Sequence, residues 1–242
     1  MEHLKIYNIL DSTNLEAQRL LSEGPVPNGQ IIMAMNQTHG RGQMGRLWLA
    51  EPGSHLSMTL IYKPEKLEAS ALPTLGMKIS LGIIEALNGI TPSFKPLIKW
   101  PNDIYAEGHK LCGILIENAL SGSSVQHSII GIGINVNEES FPPEIPNAIS
   151  LHLLAGEKYI LQDIALTIRA HVLAILESSS PSWKDRYDQY IFGKDKNYTF
   201  TSDDQTFKAR VVGVSDEGHL RLLTDDDQSK SFASHEVKWK VI

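Results

Sequence analysis

Three short runs of this sequence concentrate the residue types that handle phosphates and carboxylates. The first is Gly40-Arg41-Gly42-Gln43-Met44-Gly45-Arg46. Glycines let backbone N–H groups come close to an anion, and the two arginines add permanent charge with bidentate donors. Such a loop can close over a phosphate ester. It can equally be a surface loop with solvated arginines. The second run is Lys99-Trp100-Pro101-Asn102-Asp103, at a strand end and the turn after it. It offers a cation for phosphate and a carboxylate for Mg²⁺, unless the Asn-Asp pair serves only the turn. Lys110 follows, ahead of an apolar strand, either at a pocket edge or as a solvated flank. The third run is Gly131-Ile132-Gly133-Ile134-Asn135. Two glycines on one strand face weaken it unless something must approach closely there. A flat ligand on the glycines, with Asn135 bonding its edge, explains the pattern; a β-bulge explains it too.

The first run also spells G-x-G-x-x-G, the dinucleotide-binding fingerprint. That fingerprint must open a helix, so that a pyrophosphate meets the helix N-terminus. Here Pro52-Gly53 breaks the chain soon after Gly45 and a strand follows, which excludes that reading. There is no G-x-S-x-G, H-E-x-x-H or C-x-x-C, and the histidines show no ligand spacing. The single cysteine, Cys112, sits in the apolar run Leu111–Ile116 and reads as a core thiol.

The elements that position these runs follow from periodicity. Ile6–Leu10 reads as a strand. Thr13 with Glu16 forms a capping-box pattern at the start of a helix. Gln30–Met35 is an apolar strand. Alternation over His55–Tyr62 predicts a half-buried strand. Thr74–Asn88 is an amphipathic helix stopped by Gly89. Ile98–Trp100, Ile104–Tyr105, Lys110–Glu117 and Ser128–Val136 are strands, the middle two joined by a turn at Glu107-Gly108. Gln162–Glu177 and Trp183–Tyr190 are helices. After Gly193 short β-type runs alternate with turn clusters: Tyr198–Phe200, Thr206–Val214, Leu220–Leu223, Lys230–Ala233 and Val237–Ile242. This texture predicts a small β-barrel of about fifty residues. The division expected is 1–192 for the main domain and 193–242 for the barrel.

The chain has 242 residues and a net charge of −6. The last fifty contribute eight Lys/Arg against nine Asp/Glu, so neither part carries the basic excess of a nucleic-acid binder. No apolar stretch is read as a membrane span and no signal-peptide pattern opens the chain, so a cytoplasmic location is expected.

The order of the runs carries more than any one of them. Asp11-Ser12-Thr13-Asn14 is followed by Gln37-Thr38 with Gly40-Arg41-Gly42, Gly45-Arg46 and Trp48. Lys99–Asp103, then Lys110–Glu117, then Gly131–Asn135 complete the series. This series resembles the biotin–protein ligase family from about residue 7 to 137. The resemblance implies an α+β fold of the class II aminoacyl-tRNA synthetase-like, biotin ligase type. In it a mixed-sheet catalytic domain packed with helices carries a small C-terminal SH3-like barrel. It implies a ligase that uses ATP and Mg²⁺ to activate biotin as biotinyl-5′-AMP, then transfers biotin to a lysine. The partner implied is a biotin carboxyl carrier protein or domain of an acyl-CoA carboxylase, and the ligase could form a homodimer.

On this resemblance Ser12, Thr13, Asn14 and Gln37 bind the ureido ring. Arg41, Gly42, Gln43, Lys110, Gly113, Gly131 and Gly133 complete the biotin pocket. Gly40, Arg41, Arg46, Trp48, Lys99, Asn102 and Asn135 hold ATP or the adenylate. Lys110 and Arg41 are the candidates for catalysis, and Asp103 lies near a metal held mostly by phosphates. Two positions depart from the family's pattern: Gln43 and Met44 stand where basic residues are usual, so the loop holds less charge. No room is expected ahead of Ser12 for the DNA-binding domain that some members carry. A lipoate or octanoate transferase is the alternative enzyme; a biotin-sensing binding protein, which needs no phosphate cations, is the alternative outside catalysis.

Overall fold

A computed structural model describes residues 3–48 and 51–240. In chain order the elements are β1 (Leu4–Leu10), α1 (Thr13–Glu23), β2 (Gln30–Gln37), β3 (His55–Tyr62), α2 (Leu72–Ile90), β4 (Leu97–Lys99), β5 (Asp103–Ala106), β6 (His109–Ser121) and β7 (Ser124–Asn135). Then come α3 (Leu151–Ala155), α4 (Leu161–Glu177), α5 (Trp183–Gln189), β8 (Asn197–Ser202), β9 (Gln205–Val214), β10 (Leu220–Thr224), β11 (Ser229–Phe232) and β12 (Lys238–Lys240).

The first seven strands form one mixed sheet in the order β1-β2-β3-β7-β6-β5-β4. Only β1 and β2 run parallel, joined through α1; every other neighbouring pair is antiparallel. The sheet has two unequal faces. On one, Ile31, Met33, Leu56, Met58 and Leu60 enter the main core beneath α2 and α4. On the other, Ile32, Ile61 and Ile129 pack with Ala17 of α1 in a small separate cluster. A single helix of 11 residues cannot cover that whole face. The part α1 leaves bare becomes the site.

This arrangement corrects the reading of β3. All eight of its residues are buried, because helices cover one face and α1 with the loop after β2 covers the other. Its polar residues Ser57 and Thr59 are therefore interior. The helix α2 runs through Gly89 and ends at Ile90. Segment Ala69–Ile90 is long and apolar enough to meet a membrane-span criterion that the sequence reading denied to every stretch. In the fold its apolar positions, among them Leu75, Ile79, Ile83 and Leu87, are buried in the main core. Its approach to α4 is set by Gly82: a Cβ there would lie 2.7 Å from the Val172 Cα.

The C-terminal residues form a five-stranded antiparallel sheet, β11-β10-β9-β8-β12. Its edge strands β11 and β12 do not pair with each other, so the expected barrel is an open sheet among the described residues. The expected last strand reaches into residues 241–242, outside those described. The apolar core runs unbroken across the division expected at 192/193, from Ile191 to Phe200, Val211 and Leu222.

One buried group is out of balance. Glu138, just beyond β7, is 3% exposed, and neither carboxyl oxygen has a side-chain hydrogen-bond partner among the described residues. Burial pushes its pKa up to about 7 from 4.5, and the nearby Glu51 charge adds to the rise. In the unfolded chain the group ionises near 4.5, so between those values the folded protein binds more protons. Stability must fall as pH rises through that window and level off above it.

Two outcomes follow. Glu138→Gln raises stability at about pH 8 by roughly 2–3 kcal/mol and changes it little at about pH 4.5, checked by urea melts at both. Gly82→Ala destabilises at every pH by about 1–3 kcal/mol, because the methyl group has to push α4 away; thermal melts read this directly.

Candidate functional site

The bare part of the sheet face forms the floor of a cleft, and its polar corner lies where β1, β2 and α1 meet. Ser12 precedes the first turn of α1 and Gln37 ends β2. The Thr13 backbone N–H donates to Gln37 Oε1 at 2.7 Å and the Thr13 hydroxyl to the same oxygen at 3.1 Å. Gln37 Nε2 donates onward to Ser57 Oγ at 3.0 Å. Thr13 is thus the first helical residue and spends its side chain on Gln37, not on the cap the sequence suggested. The Ser12 hydroxyl makes no hydrogen bond among the described residues and lines the cleft.

The floor is made of glycine. Gly113 of β6 and Gly133 of β7 are direct cross-strand partners, and Gly131 pairs with Leu115. The sequence reading placed a flat ligand against Gly131 and Gly133; the structure puts two of the protein's own side chains there. A Cβ on Gly131 would lie 2.5 Å from Asn14 Oδ1, and one on Gly133 would lie 2.6 Å from the Trp48 indole. A Cβ on Gly113 would meet Trp48 at 2.9 Å. Trp48 therefore lies flat on Gly113 and Gly133. Its Nε1 is buried with no hydrogen-bond partner among the described residues.

The loop that carries Trp48 is a short hairpin. Arg41 and Leu47 form an antiparallel bridge. The Trp48 N–H donates to the Gly40 carbonyl at 2.9 Å, and the Gly42 N–H to the Arg46 carbonyl at 2.7 Å. Gln43–Gly45 make the turn at its tip, where Met44 takes a left-handed conformation (φ 56°) and is 88% exposed. Arg41 Nη2 bonds Glu117 Oε1 at 3.1 Å. Glu117 Oε2 accepts from Asn14 Nδ2 at 2.8 Å, and Asn14 Oδ1 accepts from Thr59 at 2.6 Å.

The cations gather at the other end. Lys110 Nζ lies 2.7 Å from Asp103 Oδ1 and 5.6 Å from the centre of the Trp48 ring. Lys99 does not line the cleft. Its Nζ sits over Tyr105 at 5.3 Å and over Trp239 of β12 at 5.5 Å. Burial lowers the Lys99 pKa; Asp103 opposes that shift, while Lys110 and Arg46 add to it. Asn102 lines the cleft, but its amide is spent on the Ile114 carbonyl at 2.9 Å. Asn135, expected at a ligand's edge, donates to the carbonyls of Lys110 (3.2 Å) and Ile149 (3.0 Å). It clamps the backbone that carries Lys110. Among the described residues no three His, Cys, Asp or Glu side chains converge on a metal-sized site, and Asp103 already faces Lys110.

One cleft of about 490 Å³, including its open mouth, is thus lined by Ser12, Thr13, Asn14, Gln37, Arg41, Gly42, Gln43, Trp48, Asn102, Lys110, Gly113, Gly131 and Gly133. Gly40, Arg46, Lys99, Asp103 and Asn135 stand behind or beside it. Residues 6–135 match the sequence profile of the biotin/lipoate A/B protein ligase family. The chain belongs to that family. It is 31% identical over 240 residues to the bifunctional ligase/repressor BirA of Bacillus subtilis, a match spanning 96% of this chain and 73% of that protein. It is 30% identical over 198 residues to the biotin–[acetyl-CoA-carboxylase] ligase of Paracoccus denitrificans, covering 77% and 75% of the two chains. Its fold resembles that of a biotin protein ligase from Aquifex aeolicus solved in complex with biotin and ATP, with TM-score 0.79, 28% identity and 100% coverage of both chains.

Within this biotin/lipoate ligase cleft, sequence reasoning assigned no role to Ser57, Thr59 or Glu117. The signal for the first two was present. They alternate with Leu56, Met58 and Leu60, which puts both on the face opposite the main core. Glu117 ends the run Lys110–Glu117, but nothing in its spacing shows that Arg41 and Asn14 meet on it.

Gly133→Ala should displace the Trp48 indole from the floor. Its tryptophan emission shifts to the red, and the shift is absent when Trp48→Phe is added.

Proposed function

We propose that this chain is a biotin–protein ligase that joins biotin to ATP as biotinyl-5′-AMP and passes the biotinyl group to a carrier lysine. The observation that carries the reading is one cleft that is polar at one end and cationic at the other. A ureido ring offers one carbonyl acceptor and two N–H donors. Ser12 Oγ supplies a hydroxyl for the acceptor, and the corner built from Thr13, Gln37 and Ser57 supplies the rest of the polar wall. The chain of the acid then runs over the glycine floor towards Lys110.

A biotin carboxylate oxygen attacks the α-phosphorus of ATP, and pyrophosphate leaves with the electrons of the broken P–O bond. The carrier lysine, as a free amine, then attacks the carbonyl carbon of the mixed anhydride, and AMP leaves. No protein nucleophile is required. Catalysis is positioning plus stabilisation of charge on phosphate oxygens by Lys110 and Arg41. Arg46 and Lys99 add positive potential at longer range. Mg²⁺ neutralises phosphate charge in such reactions. Asp103 is the carboxylate beside the cations, and Lys110 holds it; it is the side chain that would stand nearest such an ion, which would be held mostly by the phosphates. The carrier on this reading is a biotin carboxyl carrier protein or domain of an acyl-CoA carboxylase, met in the cytoplasm.

The deciding experiment is incubation with biotin, ATP and Mg²⁺ followed by native mass measurement. A retained biotinyl adenylate, with none formed from octanoate or lipoate, is the expected result; the reverse preference overturns the reading. Lys110→Ala lowers pyrophosphate release by about 10²-fold while the circular dichroism spectrum stays that of the folded protein.

A further inference from the structure

We propose that Glu117 is a positioning residue that latches the Gly40–Trp48 hairpin over the cleft and couples it to the polar corner. The inference rests on the ligase reading only for its consequences in catalysis, since the latch itself is a feature of the protein alone.

Glu117 stands on β6, four residues beyond Gly113, so its side chain rises from the same sheet face as the glycine floor. Both of its oxygens are engaged, by Arg41 on one side and Asn14 on the other. Asn14 can reach it only because Gly131 is bare: the carboxamide lies on the sheet where a Cβ would sit. Thr59 fixes the other end of that carboxamide. The line Thr59–Asn14–Glu117–Arg41 therefore runs from the interior of β3 through the first turn of α1 to the hairpin. Arg41 is bridged in turn to Leu47, next to Trp48. Removing the carboxylate unties the hairpin from α1 at a single point.

A guanidinium has five N–H donors. One spent on Glu117 leaves the others for a phosphate, so Arg41 can hold the latch and a nucleotide together. The Glu117 side chain is about a quarter exposed, so the ion pair alone is weak. Its effect comes from geometry, because the same carboxylate carries the Asn14 bond in a partly buried setting.

The test uses the full chain. Arg41 and Arg46 are trypsin sites inside the hairpin, so cleavage after them reports hairpin opening without any ligand. Glu117→Gln keeps an acceptor for Asn14 and removes the charge that holds Arg41. We expect cleavage after Arg41 and Arg46 to become about tenfold faster. The adenylate should also be lost sooner. Arg41→Gln breaks the pair from the loop side and should speed cleavage after Arg46 to a similar degree. The double variant should be no worse than Arg41→Gln alone. Wild-type cleavage rates in Glu117→Gln, or additive effects in the double variant, overturn the latch. Faster cleavage with no adenylate formed even by the wild-type protein keeps the latch and removes the ligase reading. Normal adenylate formation with unchanged cleavage does the opposite.

Discussion

Gly113, Gly131 and Gly133 lie beside one another across β6 and β7, and a methyl group on any of them would overlap Asn14 or Trp48. This bare strip is the constraint on which the site depends. Elsewhere a sheet face must be covered by apolar side chains from a helix, as α2 and α4 cover the opposite one. Here the backbone is the contact surface, so flat groups can lie within van der Waals reach of it. Asn14 and Trp48 do so from two directions, one from α1 and one from the hairpin. Filling the strip would cost on the order of a few kcal/mol in overpacking and would lift both away.

Charge is organised around that strip rather than on it. Glu117 at one end receives Arg41 and Asn14; Asp103 at the other receives Lys110. Asp103, Lys110 and Arg46 are all close enough to Lys99 to act on its protonation. The excess of cations over carboxylates at this end suits a polyanion. Burial makes holding Lys99 protonated costly, and a bound phosphate would offset that cost.

The second sheet is part of this machinery. The Trp100 Nε1–H donates to the Gly218 carbonyl at 2.9 Å, and Gly218 packs so tightly on Pro73 that a Cβ there would meet it at 2.7 Å. Phe192, Tyr198, Phe200 and Trp239 form an aromatic cluster at the junction, with Lys99 over the Trp239 ring. The turn that carries Asn102 and Asp103 is therefore braced from the C-terminal side. Losing the second sheet would expose the core that runs through Ile191 into Phe200 and would release that brace.

Much of this protein was legible in its residues alone. Alternation and capping placed the strands and long helices to within a few positions, since local periodicity and turn chemistry act over a few residues. The series from Ser12 to Asn135 pointed to the family, because several specific short runs stand in one order along the chain. Tertiary structure decided the rest. It buried both faces of β3, left the C-terminal sheet open, turned Lys99 towards Trp239 and Asn135 towards the Lys110 backbone, and filled the glycine floor with Asn14 and Trp48. It also brought Glu117 to Arg41 across 76 residues of chain. Spacing along a strand tells which face a side chain shares. Which partner waits on that face depends on the packing of segments far apart in sequence.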